Sequence, residues 1–127
     1  MNSRNPLLKH NALSRHGQKI FDAAGRDIIE IAEEEGFMVA KVAERIGLTV
    51  REFEGALDRS LGIKPKDLFR NRRALLARRH IQEGMNLREI AELLGFRHYS
   101  HFSTEMKEFY GIPPVQLQGV VRSRCAD

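Results

Sequence analysis

The chain has no tryptophan, only four prolines and a single cysteine in 127 residues. The lone Cys125 excludes an internal disulfide and a multi-cysteine metal site, so a reducing compartment, the cytoplasm, is expected. No apolar run approaches the roughly 20 residues that a membrane-spanning helix needs. The opening stretch from Met1 to His10 also lacks the apolar core of a secretory signal. No membrane partner is therefore expected, and the protein should stay inside the cell. Candidate nucleophiles are equally scarce: Cys125 is the one thiol, and it lacks an activating neighbourhood in the sequence. His98 and His101 stand three apart, but no cysteine or carboxylate cluster completes a zinc site around them. No enzyme activity, cofactor or metal is expected.

What is present is an ordinary globular composition, 42% apolar and 30% charged, on a chain long enough for one core. The net charge of +4 is unevenly spread. Residues 1–26 hold five Lys/Arg against Asp22 alone, residues 27–62 hold nine acids against four bases, and residues 63–127 hold twelve bases against seven acids. Two basic segments flank an acidic one. A polyanionic partner suits the flanks, since neutralising phosphates with Lys/Arg supplies most non-specific nucleic-acid affinity.

Apolar periodicity predicts helices throughout. Ile20, Phe21, Ala24, Ile28, Ile31 and Ala32 recur at spacings of three and four, predicting one helix from about Ala12 to Glu35, closed by Gly36. Val39, Val42, Ala43 and Ile46 predict a short helix that Gly47-Leu48 stops. Thr49 and Glu52 form a capping-box pattern ahead of a helix whose buried face is Phe53, Leu57 and Leu61. Pro65 opens a longer helix running to about Gln82, roughly 27 Å of rod at 1.5 Å per residue. Asn86 caps a short helix with Leu87, Ile90, Ala91 and Leu94 inward. Phe102, Met106 and Phe109/Tyr110 line the next, and Val115 to Val121 allow a last one.

The halves repeat. Val39, Val42, Ala43, Glu44, Ile46, Gly47 and Leu48 match Leu87, Ile90, Ala91, Glu92, Leu94, Gly95 and Phe96 at an offset of 48. After one extra residue, Leu57, Leu61, Gly62, Ile63 and Pro65 match Met106, Tyr110, Gly111, Ile112 and Pro114 at 49. Small residues at 43 and 91 let two helices cross closely, and glycines at 47 and 95 permit a sharp turn. The fold class is therefore all-α, about seven helices, with two helix-turn-helix units joined by a long linker helix. A basic tail is expected over 1–12, the first unit over 13–62, the linker over 63–84, the second unit over 85–121 and a C-terminal tail over 122–127.

The run Ile90-Ala91-Glu92-Leu93-Leu94-Gly95-Phe96, then Phe102-Ser103, then Lys107-Glu108-Phe109-Tyr110-Gly111-Ile112-Pro113-Pro114 resembles the AraC/XylS family of bacterial transcription regulators. Leu68-Phe69-Arg70-Asn71-Arg72-Arg73 is similar to the same family, particularly its small stand-alone MarA and SoxS kind. The resemblance covers about Ile20 to Gln118. It implies sequence-specific binding to double-stranded DNA, with each unit's second helix in a major groove, about 34 Å from the next on one face. It also implies activation rather than repression and admits RNA polymerase as a further partner. A sensor domain of the usual family size does not fit in 127 residues. The chain is thus expected to act as a monomer on DNA or as part of a longer protein.

Candidate contacts follow residue by residue. Tyr99, Ser100, Ser103 and Thr104 occupy positions where the family reads bases, with Arg97 and His98 at the helix start. Serine and threonine bond several base edges or phosphates without specifying one. Arg70, Arg72, Arg73, Arg78 and Arg79 are spread around several faces of the linker helix, so some must lie against DNA or in intramolecular pairs; phosphate contact by Arg70, Arg72 or Arg73 is expected, with solvated surface charge as the alternative. In the first unit the family's base readers fall at Arg51, Glu54 and Gly55. Two readings stand for that helix. It contacts DNA weakly, mainly through Arg51, or its acidic face makes the domain a protein-interaction module for a regulator or polymerase subunit. Arg4, Lys9 and His10 suggest either a minor-groove arm or a disordered terminus.

Overall fold

The computed structural model describes residues 13–17 and 19–125 of the chain. The basic N-terminal stretch around Arg4, Lys9 and His10 lies outside them. The described residues begin with an antiparallel hairpin, β1 (Ser14–His16) and β2 (Lys19–Phe21). Ser14 pairs with Phe21, Arg15 with Ile20 and His16 with Lys19. Seven helices follow among the described residues: α1 (Ile28–Glu34), α2 (Val39–Arg45), α3 (Val50–Leu61), α4 (Pro65–Gln82), α5 (Leu87–Leu93), α6 (Tyr99–Tyr110) and α7 (Pro114–Cys125).

The all-α expectation holds, with one correction at its start. No helix spans Ala12 to Glu35. The spacing of Ile20, Phe21 and Ala24 fits a helix by coincidence, and local turn chemistry prevails. Gly17 sits at φ +65°, suited to a tight hairpin loop. The Asp22 carboxylate then accepts from the backbone N–H of Ala24 and Arg26, at 3.0 and 2.8 Å, folding the chain into a turn. Asp27 accepts from the Ile29 N–H, so α1 starts only at Ile28. A second correction falls at the other end, where α7 runs on to Cys125 rather than giving way to a tail at 122.

The chain divides into two compact units, with the boundary inside α4 between Phe69 and Arg70. In the first, Phe53 and Phe69 are fully buried with Ile28, Ile31, Val42 and Leu57. Phe37 meets Phe69 edge-on at 5.9 Å. Arg15 ties the hairpin to α3 by donating to the Ser60 carbonyl at 3.2 Å. Arg45 bridges Glu34 and Glu35 at 3.0 and 2.8 Å, and Arg26 joins Glu34 at 3.1 Å. In the second unit Ile81, Ile90, Leu94, Phe102, Met106 and Val121 are fully buried.

The repeat is visible in three dimensions. Helices α2 and α5 both have seven residues, and α3 and α6 both have twelve. The turn glycines Gly47 and Gly95 adopt φ +77° and +89°, a left-handed conformation that other residues enter at a cost. Thr49 and Glu52 close the capping box, and the Asn86 side-chain Oδ1 accepts from the Arg88 and Glu89 N–H groups.

Candidate nucleic-acid interface

In the second unit the turn between α5 and α6 is held by three contacts. The Phe96 N–H donates to the Ala91 carbonyl at 2.9 Å, which closes the bend after Gly95. The Phe96 and Phe102 rings pack edge-on at 5.5 Å, and the Arg73 guanidinium lies over the Phe96 ring, 5.4 Å from its centroid. Phe96 thus plugs the angle between the helices.

Helix α6 buries Phe102 and Met106 and turns the opposite face outward. Ser100 and Thr104 are exposed there, and Ser103 is half-buried beside them. Tyr99 is half-buried, tilted against Phe102 at 5.6 Å and covered by the Arg88 guanidinium at 4.8 Å. Shallow recesses flank it, one walled by Asn86, Leu87, Val115 and Gln118, the other by Ala91, Glu92, Phe96 and Arg97. Arg97 and His98 are exposed at the helix start, and the His98 ring meets His101 edge-on at 5.4 Å. Among the described residues no three His, Cys, Asp or Glu side chains group to hold a metal ion. No helix among them is long and apolar enough to cross a membrane.

Two of the linker arginines, Arg70 and Arg73, form intramolecular pairs, one of the uses the sequence left open to them. Arg73 grips Glu105 of α6 through two bonds of 2.7 Å, with both side chains about 15% exposed. Arg70 reaches Glu108 of the same helix at 3.1 Å, in a more exposed pair. Both acids of α6 are thus engaged by α4. Arg72 is half-buried on α4. One turn on, the Tyr110 hydroxyl donates to the Ala74 carbonyl at 2.6 Å, and burial pushes its phenol above the usual tyrosine range despite Arg78.

In the first unit Arg51, Glu54, Asp58 and Arg59 are exposed along α3, with Gly55 half-exposed among them. Sequence reasoning missed Arg59, Arg88, Glu105 and Glu108. The repeat held a signal for one of them: at the offset of 49, Glu105 stands opposite Ala56, which is 3% exposed. An acid at the twin of a buried alanine calls for a buried partner.

Two helix-turn-helix units built on a duplicated helix pair define the class of this domain. A family model described as a helix-turn-helix domain matches residues 42–119. The chain belongs to this AraC-type family of DNA-binding transcription regulators. It is similar to the probable thc operon regulatory protein of Rhodococcus erythropolis, 31% identical over 94 residues, 69% of this chain and 28% of that protein. It is also similar to the invasion protein InvF of Salmonella typhi, 31% identical over 88 residues, 68% of this chain and 41% of that protein. The chain therefore spans less than half the length of these relatives. The C-terminal domain of the two-component response regulator yesN from Fusobacterium nucleatum has a similar structure, with a TM-score of 0.65 and 25% identity, covering 72% of this chain and 93% of that one.

Proposed function

We propose that this domain binds double-stranded DNA sequence-specifically as part of a transcription regulator, with α6 as its leading contact. The observation that carries this reading is the treatment of charge on α6. Its two acids, Glu105 and Glu108, are both engaged by α4 arginines, and its outward face is left with Ser100, Ser103 and Thr104 between Arg97 and Lys107. Hydroxyls donate to or accept from base edges, while the cations neutralise phosphates. Arg70 and Arg73 serve the interface by holding α6 rather than by touching DNA. Family membership and the printed names of the relatives, one an operon regulatory protein, support the same reading.

The test is selection of duplexes from a random pool, followed by titration at several salt concentrations. Specific binding that weakens steeply as salt rises is expected. Ser103→Glu or Thr104→Glu should reduce specific affinity by roughly a hundredfold or more by placing a carboxylate against phosphates and unpaired base edges. Circular dichroism should show the helical fold intact. Salt-insensitive or absent binding of the wild-type domain would refute the reading and favour a protein-interaction module built on the acidic first unit.

A further inference from the structure

One arginine of α5 is held in place without being neutralised. The Arg88 guanidinium lies 4.8 Å from the centroid of the Tyr99 ring, and that ring tilts against the buried Phe102 at 5.6 Å. Among the described residues Arg88 makes no ion pair, and its guanidinium donates no hydrogen bond. A guanidinium over an aromatic ring is attracted through its flat face, which leaves the N–H donors around its rim available. Arg88 therefore gives up the rotamer freedom of an exposed arginine and keeps its charge and donors.

The scaffold does not need this pair. Tyr99 opens α6 as Val50 opens α3, and Arg88 stands at the offset of 48 from Ala40. The first unit thus makes the same turn between helices of the same lengths with alanine and valine at these places. What the second unit gains is a fixed positive charge where α6 begins. Arg88 and Tyr99 line one recess together with Arg97, beside the outward hydroxyls of α6. The Tyr99 ring is already engaged by Phe102 and Arg88. Its hydroxyl bonds no described residue, so reading a base through that hydroxyl is the competing use.

We propose that Tyr99 is a positioning residue and not a base reader: its ring holds Arg88 ready where α6 begins, and Arg88 donates from α5 to a DNA phosphate. Holding the guanidinium before DNA arrives reduces the entropy lost on contact. The pair adds affinity and fixes register without adding sequence preference. This rests on the DNA-binding reading above.

The experiment compares wild type, Arg88→Ala, Tyr99→Ala, Tyr99→Phe and the double variant Arg88→Ala with Tyr99→Ala in the full chain, on a duplex selected with the wild type and on a scrambled one. Each alanine variant should weaken binding to both duplexes by about fivefold or more and lower the salt dependence by roughly one phosphate contact. The double variant should bind within about twofold of the weaker single one, because the two residues make one contact. Tyr99→Phe keeps the ring and should recover most of the affinity that Tyr99→Ala loses. Duplexes selected anew with Tyr99→Ala should carry the same sequence as those selected with the wild type. Arg88 is exposed, so Arg88→Ala leaves the core intact and tests the proposal even if Tyr99→Ala folds poorly. Unchanged binding by Arg88→Ala would overturn the proposal, as would additive losses in the double variant. So would a Tyr99→Phe protein as weak as Tyr99→Ala, or a changed base preference in Tyr99→Ala, since the hydroxyl would then be reading a base. In each of these cases the wild type still binds its duplex, and this inference alone fails. If the wild type binds no duplex, the proposed function fails and takes this inference with it.

Discussion

Glu105→Ala tests the pairing of α4 with α6 directly. Glu105 accepts two bonds of 2.7 Å from one guanidinium, the fork geometry that makes arginine–carboxylate pairs strong. Removing one partner of a fully buried pair costs about 3–5 kcal/mol, because the other charge is stranded. Here Arg73 is 14% exposed and keeps its place over the Phe96 ring, so the expected loss is about 2–3 kcal/mol. Alanine itself suits the site, since Ala56 is buried at the equivalent position of α3. The measured loss therefore reports the pair and not a helix defect. Urea denaturation followed by far-ultraviolet circular dichroism should show the midpoint falling by about 1 M. Replacing both partners with apolar residues, Arg73→Met with Glu105→Leu, should recover most of that loss, within about 1 kcal/mol of wild type. A Glu105→Ala loss below about 0.5 kcal/mol would refute the reasoning. So would a double variant as unstable as the single one, since the cost would then lie in packing and not in a stranded charge.

Thr49→Ala removes the acceptor for the Glu52 N–H at 3.1 Å and half of a capping box, which should cost about 1 kcal/mol by thermal or urea melting. The Glu34 carboxyl is held below the usual carboxylate range by its hydrogen bonds to Arg45 and then Arg26. Its folded pKa lies below the unfolded one, so its contribution is present above the unfolded value and lost as pH falls through the folded one. Melting temperatures measured on acidification should fall less steeply for Glu34→Gln than for wild type, and parallel curves would contradict this.

Much of the fold was legible because its signals are local. Pro65 and Gly84 bracket α4, Thr49 and Asn86 cap their helices, and an offset of 48 then 49 pairs the two units before any coordinates are known. The hairpin was not legible, because Ile20, Phe21 and Ala24 fit a helical stripe as well as a strand and turn. Gly17, Asp22 and Asp27 decided the matter. The arginine–glutamate pairs were hidden for a different reason. Residues 73 and 105 are 32 apart and 70 and 108 are 38 apart, and no periodicity reports contacts between elements so distant in sequence. Helix α4 alone left two uses open to its arginines, and the partners Glu105 and Glu108 of Arg73 and Arg70 could not be read from it.

Duplication explains why the two units carry opposite-looking surfaces on the same scaffold. At the offset of 49, Arg51, Gly55 and Asp58 of α3 correspond to Ser100, Thr104 and Lys107 of α6, so the outward faces have diverged while the turns and cores have not. The acids are also managed differently. On α6 they face α4 and are cancelled by Arg70 and Arg73, whereas on α3 Glu54 and Asp58 make no ion pair among the described residues. Like charges opposed across an interface cost affinity, so the second unit is free to approach a polyanion with its whole outward face.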